Sequence, residues 1–261
     1  MVPLHTLKRD IVEVGRRVYA RGYVASNDGN ISARLDERRV LITPTGVSKG
    51  FMSPDDMVVV DMEGKVLSGA SKPSSEVFMH LAIYKNRPDV HSVCHAHPPY
   101  ATGFAVAGIS LEKCILPEVI IVLGGIPLVE YGTPGTDEFF RPVLKILDKH
   151  DAFLLANHGA LTIGKDLFNA YHKMETLEHF AHIAFVADQL GHTTTLDREQ
   201  VKKLTDLRGK FGIQTGGVCV TCEDDASCEI PPVEQADESV DKEALVKEVT
   251  EAILQRLNAS R

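Results

Sequence analysis

Val90-His91-Ser92-Val93-Cys94-His95-Ala96-His97-Pro98-Pro99-Tyr100-Ala101, continued through Ala107, is the stretch on which the fold turns. Val90 to His95 reads as a strand and Pro98 to Ala107 as a helix. Alternate residues of an extended chain face the same side, so His95 and His97 can present two imidazoles to one divalent ion. A pair with this spacing also occurs among ordinary buried or surface histidines. A third nitrogen comes from His158 in Asn157-His158-Gly159, a turn between two apolar runs, Asp151 to Ala156 and Ala160 to Ile163, that read as adjoining strands. Three nitrogen ligands with an open fourth position describe a catalytic zinc site.

Outward from this stretch, strands and helices alternate. Leu7 to Arg21 has Leu7, Ile11, Val14, Val18 and Tyr19 at helical spacing, with Gly22 just past its end. Asn30 to Leu35, Val40 to Thr43, Met57 to Asp61 and Lys65 to Leu67 read as short strands, the last two joined by a turn at Glu63-Gly64. Ser74-Ser75-Glu76 introduces a helix over Val77 to Asn86, with serine at the N-cap. Further helices are expected over Asp137 to Lys149, Phe168 to Leu190 and Arg198 to Gly209. Strands in hairpins and strands singly between helices predict a mixed or antiparallel sheet covered by helices, not a parallel barrel.

Composition narrows the function classes. In 261 residues the longest apolar stretch, Val119 to Val129, is interrupted by Gly124-Gly125-Ile126-Pro127, far short of the roughly 20 residues of a membrane span. The N-terminus has no secretory apolar region, so a cytoplasm-like interior is expected. Five cysteines in no disulfide-like pattern are expected to be reduced. From Glu223 onward there are eleven acids and four bases, a balance of −7 out of −8, which leaves the first 222 residues near neutral. An acidic tail argues against a nucleic-acid partner.

Three short loops surround the histidine motif in sequence: Gly29-Asn30-Ile31-Ser32, Thr43-Pro44-Thr45-Gly46 and Pro73-Ser74-Ser75-Glu76. Their hydroxyls and backbone N–H groups suit a phosphate cradle, most strongly at Ser74 and Ser75, where a helix begins. Taken singly, each is equally a plain turn or cap. Glu76 follows the cradle directly. With a metal polarising a carbonyl, it is placed to act as a base on the adjacent carbon; its structural alternative is a capping glutamate. His172, His179 and His182 fall in one predicted helix and read as packing or surface histidines.

In order and approximate spacing, these motifs resemble those of the class II aldolase/adducin family, over about residues 5 to 212, and most nearly its L-fuculose-1-phosphate aldolase branch. The resemblance implies a three-layer α/β/α fold with a central mixed, largely antiparallel sheet. By matching motifs it implies zinc ligands at His95, His97 and His158, one ion per subunit. It implies phosphate binding by Gly29, Asn30, Thr45, Gly46, Ser74 and Ser75, and an acid/base role for Glu76. The reaction implied is cleavage of a ketose 1-phosphate, of the L-fuculose or L-rhamnulose type, through a zinc-bound enediolate of dihydroxyacetone phosphate. The branch's proton-donating tyrosine has no counterpart in Leu116-Pro117-Glu118-Val119, where Glu118 is either its substitute or a structural residue. Dehydratase, sugar-acid phosphate decarboxylase and pentulose-phosphate epimerase branches share most of these motifs, and a non-catalytic adducin-like module is the alternative of another class. A homotetramer with sites between subunits is also implied.

The resemblance divides the chain into an aldolase domain over 1–214, an acidic linker over 215–238 and a terminal segment over 239–261. In the last, Leu245, Val246, Val249, Ala252, Ile253 and Leu257 share a helical arc of roughly 140 degrees. Such a tethered amphipathic helix resembles the peptides that carry enzymes into bacterial microcompartments. Residues 239–257 are accordingly expected to dock on a shell protein or other cargo; the alternative is a helix packed on its own oligomer.

Overall fold

Apolar residues at helical spacing near the N-terminus become helix α1 (Leu4–Ala20) in the computed structural model of the protein, with Ile11, Val14 and Val18 buried. The structure describes residues 2–133, 135–210 and 213. All of them belong to the first of two units, Met1–Thr221. The proposed linker and terminal helix lie outside the described residues.

The remaining described elements are β1 (Asn30–Arg34), β2 (Arg39–Ile42), β3 (Val58–Asp61), β4 (Val66–Ser68), α2 (Val77–Asn86), β5 (Ser92–Ala96), α3 (Pro99–Ala107), α4 (Pro117–Val122), β6 (Leu128–Val129), α5 (Asp137–Leu144), β7 (Ala152–Leu155), β8 (Gly159–Gly164), α6 (Leu167–Gln189) and α7 (Arg198–Lys210). The strands form one sheet in the order β4-β3-β2-β1-β5-β8-β7-β6. Every neighbouring pair is antiparallel except β6 with β7.

Side-chain alternation divides the core between the two faces of the sheet. Leu41, Val59, Cys94 and Ala160 pack with Ile11, Ala101 and Leu177 from α1, α3 and α6. Val40, Val60, Val93 and Leu161 pack with Met79, Ile83 and Val143 from α2 and α5. The result is the expected three-layer α/β/α arrangement with a mixed, largely antiparallel sheet. Buried on both faces, the inner strands read as nearly continuous apolar runs. A buried ionic cluster pins one end of this core: Asp151 accepts from Lys173 Nζ at 2.7 Å and from Arg87 Nη2 at 3.1 Å.

Four details depart from the sequence reading. The helix expected over Asp137 to Lys149 stops at Leu144. Pro142, inside it, lacks an N–H and obstructs the preceding turn, and Lys145, Ile146 and Lys149 donate to carbonyls three residues back. Helix α4 was not expected from its β-branched sequence. The N-cap of α2 is Glu76, not serine, and its side chain makes no capping bond; Ser74 Oγ instead accepts from the Glu76 N–H at 3.3 Å. Cys94 is a free, buried thiol, but Cys114 is disulfide-bonded, against the expectation of reduced cysteines.

Candidate active site

Strand β5 sits between β1 and β8, and the antiparallel register places Asn30 opposite His95. His97 lies one residue beyond the end of β5. His158 enters through the three-residue loop between β7 and β8, where Leu155 pairs with Gly159. Asn157 in that loop has a φ of 55°, a left-handed conformation that asparagine tolerates better than most residues. Glycine is required on both sides of the histidines. A Cβ on Gly159 would lie 2.6 Å from both the Ala96 carbonyl oxygen and His97 Cδ2, and one on Gly29 would lie 2.8 Å from the His95 carbonyl oxygen.

The three imidazoles converge on one point. His95 Nε2 lies 3.0 Å from His158 Nε2 and 3.2 Å from His97 Nε2, and potential ligand atoms of all three fall within 4.8 Å of one another. Ligand bonds of about 2.0–2.1 Å in tetrahedral geometry put such nitrogens a little over 3 Å apart. His95 Nδ1 donates to the Ala160 carbonyl at 2.9 Å, which fixes the hydrogen on Nδ1 and leaves Nε2 as a lone pair facing its neighbours. Burial pushes His95 down to about 3, so it is neutral at pH 7. His97 is also lowered, by burial and then by His158. The neutral His95, its Nε2 lone pair facing the other two rings, fits a divalent metal held by the three.

Glu76 faces the same point. Its Oε2 is 3.2 Å from His95 Nε2 and its Oε1 is 3.3 Å from His158 Nε2. Burial alone would raise this carboxyl, yet His95, His158 and a hydrogen bond from Asn30 Nδ2 at 2.7 Å hold it well below the usual carboxylate range.

Beside Glu76 opens a cavity of about 170 Å³ whose lining includes Gly29, Asn30, Thr45, Gly46, Ser74, Ser75, Glu76 and His97. Among the described residues, the backbone N–H groups of Gly46 and Ser75 donate to no protein group. The six residues expected to bind phosphate are therefore brought together, next to one of the histidines and Glu76. On its other side Glu76 borders a narrow recess with Phe78, Phe139 and Phe140. The Phe139 ring lies 4.9 Å from that of His158. A larger depression of about 870 Å³, lined by Arg34, Asp36, Arg38 and His91 among others, shares none of these residues.

Glu118 is not brought to this cavity. It is exposed in the first turn of α4 and lines neither space beside Glu76. Lys49 went unnoticed in the sequence. It is 1% exposed, and its Nζ donates to the Asn27 carbonyl at 3.0 Å and the Val47 carbonyl at 2.7 Å, tying the loop bearing Gly29 to the loop bearing Gly46. Burial pushes it down to about 8. It lines no part of the cavity, and its hydrogens are directed at carbonyls, so it offers no amine for Schiff-base chemistry.

Also unforeseen is a buried polar row behind Glu76, formed by Asn30, His80, Ser32 and Tyr84. The signal was in the sequence. Asn30 and Ser32 are alternate residues of a strand, and Glu76, His80 and Tyr84 are spaced by four on a helix. Among the described residues no helix is long and apolar enough to cross a membrane.

The family model for the class II aldolase and adducin N-terminal domain matches residues 9–185. The chain is 36% identical over 207 residues to the 3-oxo-tetronate 4-phosphate decarboxylase of Haemophilus influenzae, covering 78% of this chain and 94% of that one. It is 36% identical over 181 residues to the L-fuculose phosphate aldolase of Methanococcus maripaludis, covering 69% and 97%. A solved L-fuculose 1-phosphate aldolase superposes with a TM-score of 0.73 at 31% identity, covering 79% and 96%. With the model matching most of its length, the chain belongs to the class II aldolase and adducin family, and its chemistry is that of a metal-dependent lyase of the aldolase type.

Proposed function

We propose that this protein cleaves a ketose 1-phosphate, of the L-fuculose or L-rhamnulose type, to dihydroxyacetone phosphate and an aldehyde, as a zinc enzyme of the cytoplasm. The observation that carries the reading is the meeting of three elements. The His95, His97 and His158 nitrogens, the Glu76 carboxylate and the cavity lined by Asn30, Thr45, Gly46, Ser74 and Ser75 lie side by side. A divalent ion on those imidazoles supplies Lewis acidity at the substrate's carbonyl.

The chain's own residues account for the rest. The N–H groups of Gly46 and Ser75, the hydroxyls of Thr45, Ser74 and Ser75, and the Asn30 amide grip the phosphate and fix which carbon faces Glu76. Breaking the C3–C4 bond leaves its electron pair on the dihydroxyacetone phosphate fragment. Glu76, ionised at rest, takes up a proton from solvent and returns it to C3, and in the reverse direction its carboxylate removes that proton. The proton of the C4 hydroxyl goes to a second group. Glu118, exposed on α4, takes that part across a subunit boundary in a homotetramer.

A second reading follows from the equal identity to a decarboxylase. Loss of carbon dioxide from 3-oxo-tetronate 4-phosphate leaves the same enediolate of dihydroxyacetone phosphate, so Glu76 and the phosphate cavity would keep their tasks and only the leaving group would differ. The test is to incubate the zinc-loaded protein with L-fuculose 1-phosphate, L-rhamnulose 1-phosphate, a 5-deoxypentulose 1-phosphate and 3-oxo-tetronate 4-phosphate. Dihydroxyacetone phosphate with an aldehyde supports the aldolase; dihydroxyacetone phosphate with carbon dioxide supports the decarboxylase. Release from none of the four would refute both.

A further inference from the structure

The buried row behind Glu76 has one consistent direction. Asn30 Nδ2 donates to Glu76 Oε2 at 2.7 Å. Asn30 Oδ1 is then an acceptor, and its partner His80 Nε2 must carry a hydrogen. His80 is fully buried, and burial pushes it down to about 4, so it is neutral and its Nδ1 is a lone pair. Ser32 Oγ therefore donates to Nδ1 at 2.7 Å and accepts from the Tyr84 hydroxyl at 2.8 Å. Each donor points toward Glu76, and each assignment forces the next.

We infer that His80, held by Ser32 and Tyr84, is a positioning residue that fixes the Asn30 amide with its nitrogen toward Glu76 and the phosphate cavity. Asn30 has two amide hydrogens. One is committed to Glu76; Asn30 also lines the cavity, so the other is available to the phosphate. One side chain thus couples the grip on the phosphate to the orientation of the base. A flipped amide would set Oδ1 against the carboxylate, two acceptors in contact with no hydrogen between them.

The inference rests on the assignment of Glu76 as the base and of the cavity to phosphate, and its test separates the two. Nitrogen-15 NMR of the metal-free protein should show His80 with its hydrogen on Nε2, and in Ser32→Ala too, because Asn30 Oδ1 still requires that hydrogen. In the zinc-loaded protein, His80→Leu and Ser32→Ala should slow exchange of the hydroxymethyl proton of dihydroxyacetone phosphate by about 10- to 100-fold, the scale of one hydrogen bond to a charged group. Bound zinc should be unchanged. His80→Gln, which keeps a donor for Asn30, should return the rate to within a few-fold of the parent. An Nδ1–H tautomer in the parent, or parental rates in Ser32→Ala, would overturn the inference. If His80→Leu does not fold, the tautomer and Ser32→Ala decide alone. Loss of exchange in Glu76→Gln alongside normal Ser32→Ala would reject only this inference; normal exchange in Glu76→Gln would reject the reading beneath it.

Discussion

Protonating the interior should unfold this protein in mild acid, and His80 allows the effect to be isolated. The side chain is fully buried and lowered from 6.5 to about 4, with burial as the main cause. In the unfolded chain it titrates near 6.5. As pH falls below 6.5 the unfolded state takes up the proton first, so stability is lost progressively down to about pH 4. Above 6.5 the group is neutral in both states and contributes no pH dependence. At pH 4 the linkage amounts to about 3 kcal/mol, a large part of the 5–15 kcal/mol that typically holds a domain together. His95 and Glu76 add to the acid sensitivity, but they do so equally in the parent and in a His80→Gln variant. Urea unfolding of the metal-free protein and of that variant at pH 7, 6, 5 and 4 gives the difference directly. The parent should lose about 3 kcal/mol more than the variant between the two ends of that range. Parallel curves would mean that His80 is not held neutral in the folded state, and the direction of the Ser32–His80 bond would lose its basis.

Two further predictions concern the scaffold. Gly159→Ala should displace His97, because the new Cβ would lie 2.6 Å from its ring and from the Ala96 carbonyl. Zinc affinity measured by chelator competition should fall about 10- to 100-fold, as when a ligand loses its support; unchanged affinity would show that the loop yields freely. Asp151→Ala should cost about 3–5 kcal/mol in chemical unfolding by leaving Lys173 and Arg87 buried without their shared carboxylate. A loss under 1 kcal/mol would mean that water reaches the cluster.

The sheet was legible because its strands carry apolar residues on both faces between turn signals, as in Val58-Val59-Val60. The long helix α6 was legible from its unbroken length. Helix α4 was not: Val119, Ile120, Ile121 and Val122 are β-branched and favour strands. It is helical where Ile120 packs with Val201 and where Arg208 donates to the Ile120 carbonyl, contacts made by residues distant in sequence. At the site, the histidines and Glu76 could be read because their spacing has direct chemical meaning. The facing of Asn30 and His95 could not, since it depends on strand register. The same holds for Lys49, whose partners are backbone carbonyls that no motif marks.

The central claim is that metal, phosphate grip and base act on one carbon, and proton exchange into dihydroxyacetone phosphate in heavy water tests it without regard to the leaving group. The zinc-loaded parent should exchange one hydroxymethyl proton stereospecifically, while Glu76→Gln should bind the same zinc and exchange none. Exchange that persists in Glu76→Gln, or is absent from the zinc-loaded parent, would contradict the account.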